Sequence, residues 1–247
     1  MIRFVVKPNL PEGEVKTIIC GELSDELNEY FDMLGIGRIV IRSNNHIDYA
    51  VRNHADMAAI HLGSNKILID KQQSEIGEIL KNCGFVVNYT KREIKGEYPK
   101  DIALNFTILG NKIIGKTDCA DENLLKSADT FEKIDVRQGY CKCSCLVVDD
   151  NAVITDDECI FKTMHSIGVD CLLVSKGDVS LPGHEYGFIG GASGKISASE
   201  VLFFGDVTKH RDYKKIADFI EKHGCKLISL SFPLTDFGGI IPLSEEV

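Results

Sequence analysis

No C-x-x-C pair, no basic stripe, no apolar run of membrane-spanning length and no Pro/Gly-rich linker occurs in this sequence. Each absence removes a class of protein. Nine cysteines are present, but without paired spacing they disfavour a zinc ribbon. Cys20, Cys83, Cys119, Cys159, Cys171 and Cys225 stand singly, as small hydrophobes do in a chain kept reduced, so the expected compartment is the cytoplasm. The opening stretch MIRFVVKPNLPEG lacks the charged-then-apolar order of a secretion signal. No segment approaches the roughly 20 apolar residues a membrane span needs. With 37 acidic residues against 28 Lys and Arg, the formal net charge is -9. That balance argues against nucleic acid or an anionic membrane as the main partner, because no basic track exists to displace phosphate counterions. Without a linker, the whole chain, 1–247, reads as a single domain.

What the sequence does contain is a repeated phrase: an apolar strand, a short polar turn, a second apolar strand, a helix and a returning strand. The segment from Ala55 to Asp70 turns at Ser64-Asn65, followed by a helix over 74–82 and a strand over 85–89. Hairpins recur over 100–115, turning at Gly110-Asn111, and over 141–155, turning at Asp150-Asn151. The latter copy continues with a helix over 157–167 and a strand over 170–174. The last full copy occupies 195–230, and a less complete first copy has strands over 14–21 and 37–42 around a helix over 24–34. Small polar turns between β-branched runs are hairpin signals, and Ser24 and Asp156 are expected helix caps. The second strand of each hairpin is a continuous apolar run, as suits a strand buried on both faces. The expected fold is therefore α/β, a propeller of five strand-strand-helix-strand blades with pseudo-fivefold symmetry. The acidic pairs Asp149-Asp150 and Asp156-Asp157 fit turns and helix starts better than a calcium loop.

This fivefold unit resembles the pentein fold of guanidino-group-modifying enzymes, which include arginine deiminases, dimethylarginine dimethylaminohydrolases and amidinotransferases. The runs GFIGGASGKI (187–196), LFFGDV (202–207) and SLSFPLTDFGGIIPL (229–243) further resemble an uncharacterised bacterial family assigned to that fold, most strongly from Gly139 to Leu243. The resemblance to the enzymes implies three catalytic positions. Their nucleophilic cysteine follows a glycine pair near the C-terminus; here Gly238 and Gly239 are followed by Ile240, Ile241 and Pro242. Their base histidine opens the fourth hairpin, where this chain has Tyr140 and Cys141. Their substrate-binding acid opens the second copy, and Asp56 matches. Guanidine hydrolysis needs a thiolate to attack carbon, an imidazole to move protons and carboxylates to hold the cation. Two of those three parts are missing.

Three clusters remain as candidate sites. Cys141, Cys143 and Cys145 alternate with Lys142 and Ser144, so on a strand they share one face, as core packing, as soft ligands or with a displaced nucleophile among them. The pairs His46-x-Asp48 and His54-x-Asp56, with His61 nearby, place an imidazole beside a carboxylate. Asp101 stands where Asp56 does, one copy later, so the two carboxylates are expected to converge on the axis. The glycine-rich run 187–195 brings Ser193 and Lys195, with His184 and Glu185 before it as rim residues or plain loop polars, and its backbone N–H groups suit an anion as well as a tight crossover. No cofactor motif and no metal-ligand spacing is present, so neither is expected. The leading reading is a binder of a small polar molecule, a guanidino-type cation among the candidates, in an axial pocket, using His54, Asp56, Asp101, Lys142, Ser193 and Lys195. The competing readings are an enzyme acting on guanidino or amidino compounds, with Cys141 or Cys143 as nucleophile and His54 as base, and a non-enzymatic interaction module. The sequence does not specify the oligomeric state.

Overall fold

A computed structural model describes residues 1–247. Its strands and helices follow in chain order as β1 (Ile2–Phe4), β2 (Glu14–Cys20), α1 (Asp25–Met33), β3 (Gly37–Val40), α2 (Ala55–Ala58), β4 (Ala59–His61), β5 (Lys66–Ile69), α3 (Ser74–Asn82) and β6 (Val86–Tyr89). They continue as β7 (Thr107–Leu109), β8 (Lys112–Gly115), α4 (Glu122–Ser127), β9 (Glu132–Asp135), β10 (Cys145–Asp149), β11 (Ala152–Thr155), α5 (Glu158–Ser166) and β12 (Asp170–Leu173). The last are β13 (Ser193–Ser197), β14 (Glu200–Phe203), α6 (Tyr213–Lys222), β15 (Lys226–Ile228) and β16 (Ile240–Glu246). No helix is long and apolar enough to cross a membrane.

The strands form five small sheets, β4-β5-β6, β7-β8-β9, β10-β11-β12, β13-β14-β15 and β1-β16-β2-β3. In each, an antiparallel hairpin pair is followed by a parallel strand that returns after a helix. The missing strand of the first blade comes from the far end of the chain: β16 pairs antiparallel with β2, where β4 stands against β5. Pro242 lies in β16 at a register shift, a position where a strand tolerates the loss of an N–H.

Five apolar clusters lie between neighbouring blades and join them into a ring. Ile19 and Ile241 meet Ile67 and Ile69, and Ile60 and Leu68 meet Ile108 and Ile113. Leu109 and Ile114 meet Val147 and Val153, and Leu146 and Ile154 meet Val201 and Phe203. Ile196 and Leu202 meet Ile18 and Ile240. The physical origin of the continuous apolar runs is visible on β11, where Val153 faces the third blade and Ile154 the fifth. Successive side chains on a strand point to opposite faces, and here each face has its own neighbour to fill. The helices cover the outside through i, i+4 pairs such as Leu27 with Phe31 and Ile160 with Met164. Fully burying one such side chain contributes about 1.5–3 kcal/mol.

Four expectations change. Residues 55–58 form one helical turn instead of strand, and 100–106 precede β7 as turn and irregular chain. Residues 141–144 also turn, with Ser144 N–H donating to the Tyr140 carbonyl, so the three cysteines do not alternate on a strand. At i, i+4 spacing Cys141 and Cys145 share one side and pack in the apolar layer between the third and fourth blades, whereas Cys143 points the other way. The reason is a cap supplied by another blade: Asn105 Oδ1 accepts from the N–H groups of Lys142 and Cys143, serving donors that the first turn of a helix leaves free. Likewise Asp157, not Asp156, caps α5. Asp156 is buried and accepts the Ile189 N–H at 3.0 Å, tethering the crossover into the fifth blade.

Two consequences are measurable. Glu245, fully buried in β16, accepts from Arg3 Nε and from the N–H groups of Glu12 and Gly13. Glu245→Ala strands those donors and should lower unfolding stability in urea by about 2–4 kcal/mol, with Glu245→Gln retaining part of the loss. Burial pushes the Asp156 carboxyl up to about 7, so the folded protein holds this proton more tightly than the unfolded chain. Its contribution is fully present below pH ~4 and is lost as pH rises toward ~7. Asp156→Asn should therefore flatten the fall in stability across that window by roughly 2–4 kcal/mol, read from urea midpoints at several pH values.

Candidate functional site

The segments that lead into the inner strands meet at one end of the ring and bring a small polar group together. His54 occupies the N-cap position of α2, with Asp56 inside that turn. Cys143 comes from the turn before β10, Asn105 from the approach to β7, and Asp236 from the loop before β16. All are buried. The Cys143 thiol donates to Asp56 Oδ2 at 2.9 Å. Asn105 Nδ2 lies 3.1 Å from Cys143 Sγ and 3.2 Å from Met57 Sδ, and donates to the Asp56 carbonyl at 3.3 Å. His54 Nδ1 faces Asp236 Oδ1 at 3.7 Å, too long for a hydrogen bond. Both His54 Nδ1 and Asp56 Oδ1 are buried with no partner.

Asp236 is itself held firmly: its two oxygens accept the N–H groups of Phe188 and Gly238. Glycines make this approach feasible. A Cβ on Gly191 would stand 1.9 Å from Asp236 Oδ1, and one on Gly238, at φ +78°, would stand 2.4 Å from His54 Cβ. The glycine pair thus packs against His54, but the chain then enters β16, where Ile240 and Ile241 are buried in inter-blade layers. No thiol follows the pair, as the sequence stated.

Ionisation follows from burial. The Asp56 carboxyl is pushed up to about 6, chiefly by burial, opposed by His54. Burial first, and Asp56 next, push the Cys143 thiol well above its usual range. The thiol is therefore a protonated donor to the carboxylate, the opposite of a poised nucleophile. The ligand atoms of His54, Asp56 and Cys143 lie within 4.8 Å of one another, so these three residues are the chain's candidate metal ligands.

The other sequence candidates are distributed differently. Cys141 is packed away in the core and donates toward Thr107 Oγ1. Asp101 does not join Asp56; its Oδ2 takes the Tyr140 hydroxyl at 2.8 Å. Lys142 is buried, its Nζ about the glycine pair, 3.5 Å from where a Gly239 Cβ would stand. Ser193 Oγ donates to the Ile189 carbonyl, and Lys195 Nζ to the carbonyls of Val148 and Ala198. Their donors are used within the protein, which leaves them nothing to offer a ligand. In the glycine-rich run the N–H groups of Gly187, Phe188, Ile189, Gly191 and Ala192 are all taken by protein acceptors, so it is a tight crossover and not an anion cradle. His46 and Asp48 are exposed, and His61 is a core residue bound to the Ser64 carbonyl, its pKa lowered to about 4 by burial.

Adjoining the buried group is a pocket of about 310 Å³ lined by Val51, Tyr140, Leu181, His184, Glu185, Tyr186 and Phe188. Val51 and Leu181 also touch the layer that contains Cys143 and Met57. The rings of Tyr98, Tyr140, Phe188 and Tyr186 follow one another with centroids 5.5, 5.9 and 6.2 Å apart. His184 and Glu185 are exposed residues of the pocket lining. Asn105, Asp236, Tyr186 and Phe188 were missed. Asn105 and Asp236 carry no motif of their own, but each stands next to the start of an inner strand, which is the signal that finds Asp56.

The fold has known counterparts. Inosamine-phosphate amidinotransferase from Streptomyces griseus superimposes with a TM-score of 0.60 at 11% identity, over 98% of this chain and 97% of that one. The amidinotransferase of the saxitoxin biosynthetic pathway from Microseira wollei gives 0.55 at 11% identity, over 97% and 96%. Agmatine deiminase from C. jejuni gives 0.53 at 11% identity, over 93% and 91%. At such identities the likeness establishes the pentein fold and nothing about the reaction. No curated protein matches the sequence. Residues 18–241 match the group described as "Family of unknown function (DUF6873)", and with nearly the whole chain inside that match, this protein is a pentein-fold member of the DUF6873 family.

Proposed function

We propose that this protein binds a small organic cation, of guanidinium or amine type, in the aromatic pocket at the end of its axis. The observation that carries this reading is the wall of the pocket: Tyr140, Tyr186 and Phe188 present ring faces and edges beside Glu185. Aromatic faces attract cations through their quadrupole, by about 0.5–2 kcal/mol according to how dry the site is. Tyr186 already carries the Lys176 ammonium at 5.9 Å, which illustrates the preference within this same wall. Carboxylates reinforce it from behind. Asp101 holds the Tyr140 hydroxyl and has a second, unpartnered oxygen, and Asp48 lies 3.3 Å from His184. A pocket of about 310 Å³ is at the small end of ligand sites, which suits a molecule the size of agmatine. The fold's relatives support the same class, since agmatine and dimethylarginine, after which two of these enzymes are named, are guanidines.

An enzymatic reading has one observation in its favour, the closeness of Cys143 to His54 and Asp56. Against it stands the thiol's protonation, which burial and the adjacent carboxylate both enforce. Binding without the inherited hydrolysis is the better-supported function.

Calorimetric titration with agmatine and with a neutral alkylurea of equal length tests the proposal. Agmatine should bind and the urea should not, and Phe188→Ala should weaken agmatine by about 3–30-fold. Equal binding of the two probes, or an affinity indifferent to Phe188, would overturn it.

A further inference from the structure

The buried polar group beneath that pocket has an unusual electrostatic balance. Asp56 and Asp236 are carboxylates at 1% and 2% exposure, and the Cys143 thiol adds a third group that becomes anionic on losing its proton. His54 and the buried Lys142 are the basic side chains whose charge favours the Asp56 carboxylate. Two polar atoms aimed into it, His54 Nδ1 and Asp56 Oδ1, have no hydrogen-bond partner. Buried polar atoms are almost always paired, and each unpaired one costs about 1–3 kcal/mol. Asp56 Oδ1 thus lacks a donor or positive centre, while His54 Nδ1 lacks a closed contact to Asp236, 3.7 Å away.

We propose that His54, Asp56 and Cys143 bind one divalent metal ion of borderline softness, zinc foremost, with Asp236 as the positioning residue for His54. An imidazole, a thiolate and a carboxylate form a donor set that suits zinc and does not suit magnesium or calcium, which take oxygen ligands. The geometry requires little adjustment. Zinc bond lengths place tetrahedral ligand atoms roughly 3.3–3.6 Å apart. Here the sulfur and a carboxylate oxygen stand 2.9 Å apart, and all three donors lie within 4.8 Å. Side-chain rotation covers that difference.

Asp236 supplies what such sites commonly have, a carboxylate behind the histidine. With Nδ1 facing Asp236, the other ring nitrogen is left for the metal, and closing the 3.7 Å gap would fix the tautomer by an N–H to carboxylate bond. Coordination exchanges the Cys143 S–H bond for a sulfur–metal bond, and the proton leaves to solvent. One thiolate and one carboxylate then neutralise the dication, so the ion is buried without net charge from its direct ligands. Three protein ligands leave the fourth position open, the arrangement of reactive rather than structural zinc sites. The assignment stands apart from the cation pocket and does not require it. No ligand spacing announces it in the sequence, because Cys143 and Asp56 are 87 residues apart and come from different blades.

Cobalt(II) titration of the full chain, stripped of metal with a chelator, reads the site directly. One equivalent should produce a thiolate-to-cobalt absorption band with the intense visible bands of a tetrahedral ion, and zinc should displace it. Cys143→Ser should abolish the charge-transfer band, and His54→Gln should do so or lower affinity at least 100-fold, giving a second test should one variant fail to fold. Asp236→Asn should keep the band and weaken affinity by about 10–100-fold, as loss of a partner behind a metal-bound histidine does. Absence of a saturable band in the unaltered chain would overturn the proposal. So would a band that survives in Cys143→Ser, which would place the cobalt on another of the free cysteines.

Discussion

Pairing of the last strand with the first blade is the constraint on which the remaining structure depends. The strand β2 pairs with the returning β3 along one edge and has no hairpin partner of its own, and β16 supplies the partner on the other edge. Once it is in place, every central strand has a neighbour on each side, and the five apolar layers close on themselves. Such closure leaves no sheet face uncovered at the end of an open stack, while each sheet keeps only short edge strands. It also carries the loop from Asp236 to Gly239 to the centre of one end, beside His54.

That placement sets the chemistry. Carboxylates near the ends of the inner strands are delivered to buried positions, where burial and ionisation oppose each other. Asp56, Asp156 and Asp101 are all shifted toward their protonated forms by desolvation, and the Cys143 thiol is shifted the same way. The fold tolerates this because each carboxylate has at least one donor: Cys143 for Asp56, the Ile189 N–H for Asp156 and Tyr140 for Asp101. Each of the three retains one unpaired oxygen, which buried polar groups seldom do.

Much of the fold was legible in the chain. β5, β8, β11 and β14 are all apolar runs with turn residues on their N-terminal side, and α1, α3, α5 and α6 begin within a few residues of their expected starts. Legibility failed where contacts made by other blades decide local structure. Residues 141–144 alternate as a strand does, yet they turn because Asn105 caps them from the third blade. Lys195 and Ser193 look like ligand donors in the glycine-rich run, yet carbonyls of the protein take their hydrogens. Asp156 reads as a helix cap, and Asp157 takes that role because Asp156 is drawn inward.

Alone, the sequence determined the repeating unit, because the periodicity of two-faced burial is written locally in each apolar run. It also determined the loss of the cysteine after Gly238-Gly239, because identity at a position needs no geometry. Tertiary structure decided what the surviving residues do. Asp56 alone was a match to a motif; beside Cys143, His54 and Asp236 it belongs to a buried, partly unpaired polar group. Those four residues are spread from 54 to 236, and only the closing of the ring, a long-range event with no local signature, sets them within a few ångströms of one another.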